Sequence, residues 1–391
     1  MDGLNVSQVR PEKQFSAPPL HTRPPACFNH TMDAFIYQAN PTRVVFGCGA
    51  LAQVGAEVEQ LGAQRALVLS TPEQIDSARR VAGLLGPRAA GIFAEATMHV
   101  PVVTALEARR VARELGADCA VAIGGGSTTG LGKAIALESA LPIVAIPTTY
   151  AGSEMTPIYG ITEGGVKKTG RDARVLPRTV IYDPELTLTL PFALTVTSAL
   201  NAIAHAAEGL YAHDGNPVIA LMAEEGIRAS AAALAPLAAD PRDLAARSDA
   251  LYGAWLCGSV LGSVAMGLHH KLCHTLGGSF DLPHAPTHTV VLPHALAYNA
   301  PAAAQALARI ARALHAADPA LAADDPAAAL QALAARHGAP VSLKALGMPP
   351  DGLDRAADLA VQTPYPNPRP LDRAALRALL QRAYDGAKPS P

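Results

Sequence analysis

Residues 267–288 read GLHHKLCHTLGGSFDLPHAPTH and carry five imidazoles, His269, His270, His274, His284 and His288. Upstream, Asn201 and His205 stand four apart in an apolar run, so on a helix they share one face. Imidazole exchanges protons near neutral pH, donates to a developing oxyanion and ligates borderline metal ions. One or two structural histidines could cap helices; five in so short a stretch are too many for that role. The cluster points to a site that handles a proton, an oxyanion or a metal.

A second chemical feature lies earlier. Residues 120–126 read AVAIGGG and run on into STTGLGKAIAL, an apolar strand followed by three glycines and a helix. Glycine lets backbone approach an anion closely, and the amides opening the helix point at it. The spelling is not GxGxxG, so the usual dinucleotide fingerprint is absent. Residues 146–154, IPTTYAGSE, also follow an apolar strand and place Thr148, Thr149 and Ser153 where a second loop meets the same ligand. ST-turn and N-cap chemistry is the structural alternative for those hydroxyls.

Elements must hold these groups together. Short β-rich runs at 43–46, 66–70, 90–93, 119–123, 143–146 and 180–182 alternate with helical stretches at 50–61, 75–85 and 103–115. That alternation predicts a parallel sheet covered on both faces, with ligands beyond the carboxyl ends of its strands. After Pro191 the β-branched clusters vanish and Ala/Leu/Arg periodicity takes over, for example at 301–317 and 373–384, which predicts an all-helical half. The expected organisation is an extension over 1–31, an α/β dinucleotide-binding domain over 32–190 and a helical substrate domain over 191–391. The first 31 residues are proline-rich and polar, without the apolar core of a signal peptide, and are expected to be disordered. Met32 is a candidate natural start, and a flexible tail is the alternative.

Composition removes several function classes. The chain has 391 residues, half of them apolar, and Lys+Arg 31 nearly balances Asp+Glu 33. No basic block grips a phosphate backbone, and no apolar run reaches the roughly 18 residues of a membrane span. Five scattered cysteines without a CxxC pair fit reduced thiols and a cytoplasmic setting.

With both loops in hand, a resemblance becomes specific. GGGSTTGLGKA (124–134) and PTTYAGSEMTPIYGIT (147–162) resemble the two nucleotide loops of the iron-containing alcohol dehydrogenase superfamily, over roughly residues 35–380. The resemblance implies an N-terminal Rossmann-like parallel-sheet domain, a C-terminal helical domain of the dehydroquinate synthase-like type, and a homodimer. It also implies a pyrophosphate cradle of Gly124, Gly125, Gly126 and Ser127, with Lys133 reaching the cofactor and Thr148 and Thr149 against the adenosine. Where many alcohol dehydrogenases carry Asp in the first loop this chain has Gly130, and both loop spellings are similar to the maleylacetate reductase branch. At the end of the second expected strand, Ser70 and Thr71 stand where an acid would repel a 2′-phosphate, so both NADH and NADPH are expected to be accepted.

The superfamily places a divalent metal on one Asp and three His, and the spacing recurs here as Asn201, His205, His270 and His284. A carboxamide in place of the carboxylate removes the anionic ligand. Iron or zinc is therefore expected not to be required, and a metal-free pocket with protonated imidazoles would suit a dianion. The branch implies NAD(P)H-dependent reduction of the conjugated C=C of maleylacetate, a small dicarboxylate, to 3-oxoadipate. On that reading His205, His270 and His284 stabilise the oxyanion, His274 relays a proton, and Asn201, His269, Lys271 and Tyr159, with Thr162, meet the substrate. The competing readings are a metal-dependent alcohol dehydrogenase, a lyase of the dehydroquinate synthase type and a non-catalytic nucleotide-binding protein.

Overall fold

The computed structural model describes residues 34–164 and 166–391; the segment 1–31, and Met32 with it, lies outside the described residues. Residues from Tyr37 to Pro391 form one compact unit. Its first part alternates β1 (Arg43–Phe46), α1 (Val54–Gln60), β2 (Ala66–Leu69), α2 (Ile75–Leu85), β3 (Ala89–Phe93), α3 (Val102–Glu114), β4 (Cys119–Gly124), α4 (Gly126–Ser139) and β5 (Ile143–Pro147). A hairpin of β6 (Ile158–Glu163) and β7 (Val166–Arg171) precedes β8 (Thr179–Tyr182). Six strands make one parallel sheet in the order β1-β8-β5-β4-β2-β3. The central strands are buried at every residue, as a sheet covered on both faces requires. Gly124 pairs with Pro147 at the ends of β4 and β5, so the two loops leave the sheet side by side.

The second part is helical: α5 (Phe192–Gly209), α6 (Pro217–Ala232), α7 (Leu234–Ala239), α8 (Leu244–Ser263), α9 (Leu268–Phe280), α10 (His284–Asn299), α11 (Ala304–Ala317), α12 (Pro326–Arg336), α13 (Gly352–Gln362) and α14 (Arg373–Asp385). From Thr195 to Gly209 every residue of α5 is buried, as expected for an apolar helix wrapped by others. One hydrophobic cluster joins Ala145, Val180 and Tyr182 of the sheet to Val196, Ile203 and Leu251 of the helices. The fully buried Arg247 stitches the same junction, donating to Tyr150 Oη (3.1 Å), Thr195 Oγ1 (2.8 Å) and the Leu190 carbonyl (2.9 Å). Close backbone contact completes it: a Cβ on Gly258 of α8 would lie 2.6 Å from the Gly152 carbonyl.

The hairpin was not anticipated. Its strands pair from Ile158↔Arg171 to Glu163↔Val166. Two glycines between short alternating runs are the turn signal that marks it, but the second run, VKKTGR, has only one β-branched apolar residue. Among the described residues no single helix is long and apolar enough to cross a membrane.

Candidate active site

A cleft of about 630 Å³ opens beyond the carboxyl ends of β4 and β5, between the glycine loop, the hairpin and the helices α5, α8, α9 and α10. Gly125, Gly126, Ser127, Thr149 and Ser153 line it. No side chain caps α4 and no acid stands in its first turn, so its leading amides and its dipole are available to an anion. Gly124 holds φ 153, and a Cβ there would lie 2.4 Å from Thr128 Oγ1. These features fit the pyrophosphate of a dinucleotide. Gly124 and Thr148 sit behind the lining: Thr148 is buried and accepts from Gln74 Nε2 at 2.9 Å, supporting the loop from below.

Lys133 lies at the cleft floor, but its ammonium is turned into the protein. Nζ donates to the carbonyls of Ser153 (2.6 Å), Thr156 (2.9 Å) and Ile158 (2.7 Å), with two hydroxyls close by. Burial pulls it down to about 7, opposed by the nearby Glu154 carboxylate. Lys133 thus ties α4 to the second loop and the hairpin. The expected reach towards the cofactor is replaced by positioning of the loop that meets it.

The imidazoles form a connected chain. Glu208, buried at the N-terminus of α9, accepts from the backbone N–H of Gly267 (3.2 Å), His269 (2.9 Å) and His270 (3.2 Å), and pairs with His270 Nδ1 at 2.6 Å. His270 Nε2 meets His205 Nδ1 at 2.8 Å, and His205 Nε2 meets Asn201 Nδ2 at 3.3 Å. Burial works against charge on both members of the first pair, raising the Glu208 carboxyl and lowering His270 to about 3. Three backbone donors at a helix N-terminus favour the carboxylate, so we assign Glu208 as the anion and His270 as neutral with its proton on Nδ1. That sets the remaining protons: His205 donates from Nδ1 to His270, and its Nε2 accepts from the Asn201 amide. The Ala151 carbonyl, also 3.3 Å from His205 Nε2, is then a close neighbour and not an acceptor.

Burial, then the neighbouring His270, holds His205 well below its ordinary value. The expectation of a cationic imidazole pocket is therefore corrected: the inner wall is neutral at neutral pH, because desolvation and mutual repulsion outweigh any gain from charging. Burial likewise takes His269 to about 3 and His294 to about 4, and holds His288 far below its usual range. Below about pH 6.5 the unfolded chain binds protons that the folded chain refuses, so stability is full above that pH and falls on acidification towards 4. We expect a lower urea midpoint at pH 5 than at pH 7.5; an unchanged or higher midpoint at pH 5 would refute the neutral assignment.

Asn201, His205, His270, His274, His284 and Tyr159 all line the cleft, with His274 and His284 its exposed imidazoles. Three expected substrate contacts, His269, Lys271 and Thr162, do not. His269 is fully buried with Nε2 3.2 Å from the His288 carbonyl, because the helix turns its side chain about 100° away from that of the cleft-lining His270. Lys271 lies with Nζ 5.9 Å over the Tyr365 ring, outside the cleft lining. Thr162 is a structural pin: its hydroxyl donates to the His99 carbonyl (2.8 Å) and its N–H to the Val100 carbonyl (3.0 Å). It holds His99 and Val100 at φ 65 and 48 on the cleft rim, a strained conformation for a β-branched residue.

The four positions that the resemblance gives to a divalent metal, Asn201, His205, His270 and His284, all line the cleft, and the Asn201 Oδ1 is buried without a hydrogen-bond partner among the described residues. His205 Nδ1 and His270 Nε2 face each other at 2.8 Å. The fourth member is a carboxamide whose nitrogen faces His205. Ring nitrogens of His269, His270 and His288 also lie within 4.8 Å of one another, but both His270 nitrogens are engaged by Glu208 and His205.

Glu208 and Arg171, which the structure brings to this site, were not singled out from the sequence. Glu208 follows His205 by three residues, which places it on the same helical face and is a readable signal. Arg171 enters the cleft through the unanticipated hairpin. His288 was seen within the cluster but given no role; it is fully buried, 4.3 Å between ring centroids from His284, and neither ring nitrogen meets a protein partner among the described residues.

Comparison with known proteins agrees with this architecture. The model of iron-containing alcohol dehydrogenases matches residues 41–184, and that of the C-terminal region of the Fe-containing alcohol dehydrogenase family matches 195–384. A maleylacetate reductase of Burkholderia cepacia is 69% identical over 92% of this chain and 100% of its own length. One from Sphingobium indicum is 58% identical over 91% of this chain and 99% of its own. The crystal structure of the maleylacetate reductase of Agrobacterium tumefaciens superposes with a TM-score of 0.87 at 55% identity, covering 92% of this chain and 100% of that one. The chain belongs to the iron-containing alcohol dehydrogenase family and, within it, to the group of the maleylacetate reductases.

Proposed function

We propose that this protein reduces the conjugated C=C of maleylacetate to 3-oxoadipate with NADH or NADPH. It is an oxidoreductase acting on a CH–CH group, and the similarity to maleylacetate reductases over more than nine-tenths of the chain carries the reading. The nucleotide lies along Gly125, Gly126 and Ser127 with its pyrophosphate at the head of α4, and when bound it supplies the hydride. Both nucleotides are accepted, because Ser70, which is buried, and Thr71 beside it put no carboxylate directly at the end of β2.

The protein's part is to hold a dianion, stabilise an enolate and deliver a proton. Hydride joins the alkene carbon remote from the ketone, and the electron pair moves onto the ketone oxygen. Asn201, positioned by the Glu208–His270–His205 chain, keeps its second amide N–H for that region of the cleft, and preorganised donors of this kind lower the barrier. His274 and His284, exposed in the cleft, bring the proton that completes the second C–H bond. Tyr159 and Thr149 shape the walls. On this reading the reaction does not require a divalent metal, because the carboxamide of Asn201 stands where the family's anionic ligand would be.

The alternative is oxidation or reduction of simple alcohols and aldehydes by a metal-bound site. Product analysis separates them. Maleylacetate with NADH deuterated at the transferable position should yield 3-oxoadipate carrying one deuterium on the carbon next to the carboxylate. Turnover of aldehydes with no deuterated 3-oxoadipate would move the protein to the alcohol dehydrogenase reading.

A further inference from the structure

A dianionic substrate needs a cation, and the buried groups expected to supply it do not. The inner imidazoles, His205 and His270, are neutral, and the Lys133 ammonium is spent on three carbonyls. Among the described residues no Asp or Glu lines the cleft, so its lining repels no anion. Two nearby cations are already paired: Lys168 with Glu163 and Arg174 with Asp172.

Arg171 is different. It closes the hairpin opposite Ile158, is exposed and lines the cleft. Its one hydrogen bond among the described residues runs from Nη2 to the carbonyl of Gly262 in the last turn of α8. That carbonyl aims the guanidinium without neutralising it, leaving the other N–H donors for a planar anion. Around it, Leu261, Val264 and Met266 form an apolar wall of the same cleft, where a charge-assisted bond is less screened than in water.

We propose that Arg171 binds one carboxylate of the dicarboxylate substrate and makes this cleft select a dianion over a neutral carbonyl compound. The inference rests on the maleylacetate reading. The hairpin then has a function beyond covering the sheet: it carries the specificity-determining cation, while Lys133 fixes the hairpin base through the Ile158 carbonyl beside it. A cofactor phosphate is the other anion of similar chemistry, and the test separates the two.

Steady-state kinetics of R171Q and R171K should be compared with wild type for maleylacetate, NADH and NADPH, with thermal unfolding recorded for each. We expect R171Q to raise KM for maleylacetate about 10- to 100-fold, with kcat within about threefold and both nucleotide KM values unchanged. R171K, which keeps the charge but loses the fork, should fall between. A monomethyl ester of the substrate lacking the charge that Arg171 meets should bind wild type and R171Q alike. Unchanged KM for maleylacetate in R171Q, with the protein folded, overturns the inference alone. So does a rise confined to KM for NADPH, which assigns Arg171 to the 2′-phosphate. Wild-type protein inert towards maleylacetate overturns the reaction reading and this inference with it.

Discussion

His270→Ala is expected to lower kcat by roughly two to four orders of magnitude, while leaving KM for the nucleotide near its wild-type value. The residue is the middle of the chain that runs from the Glu208 carboxylate through His205 to the Asn201 amide. Without it, His205 loses the acceptor for its Nδ1–H and can turn towards either tautomer, so the amide of Asn201 is no longer fixed. The glycine loop, built on β4 and α4, is untouched. Single-turnover rates and nucleotide titrations check both halves. A kcat within about threefold of wild type would show that the chain does not serve the chemistry.

The second large effect concerns Glu208. Its side chain is fully buried and satisfies three backbone N–H groups and one imidazole. Glu208→Ala strands all four donors away from water, and each buried donor left unsatisfied costs roughly 1–3 kcal/mol. A folded Glu208→Ala protein with an unchanged denaturant midpoint would contradict the assigned network. Glu208→Gln separates stability from catalysis. Its carbonyl oxygen can still accept from the start of α9, so most stability should return. Its amide offers His270 Nδ1 a donor where the carboxylate was an acceptor, which reverses the tautomer along the chain. Near-wild-type stability with kcat still reduced at least tenfold is the expected pattern, and recovery of both would reduce Glu208 to a structural cap.

Much of the architecture was legible. The strand at 119–124 announces itself by an unbroken apolar run ending in glycine, and α2 begins and ends at Ile75 and Leu85 as its amphipathic spacing predicts. The fold places Asn201, His205, His270, His274 and His284 around one cleft, as the family resemblance implied. Direction was harder to read. His269 and His270 are neighbours in sequence, yet a helix sends consecutive side chains about 100° apart, and only His270 faces the cleft. Lys133 reads as a phosphate ligand in a glycine loop, and only tertiary structure shows three carbonyls closing around it. The protonation of the cluster could not be read at all, since it depends on burial that the sequence does not display. Arg171 was hidden because its hairpin strand carries two lysines and a glycine, a composition that looks like loop.

The central claim is that this site reduces maleylacetate with a nicotinamide cofactor and without a metal. NADH oxidation in the presence of freshly generated maleylacetate, measured before and after exhaustive treatment with a strong chelator, tests it most directly. The account predicts rapid oxidation that depends on maleylacetate and survives the chelator. Activity lost to the chelator and restored by iron or zinc, or no oxidation with maleylacetate at all, would contradict it.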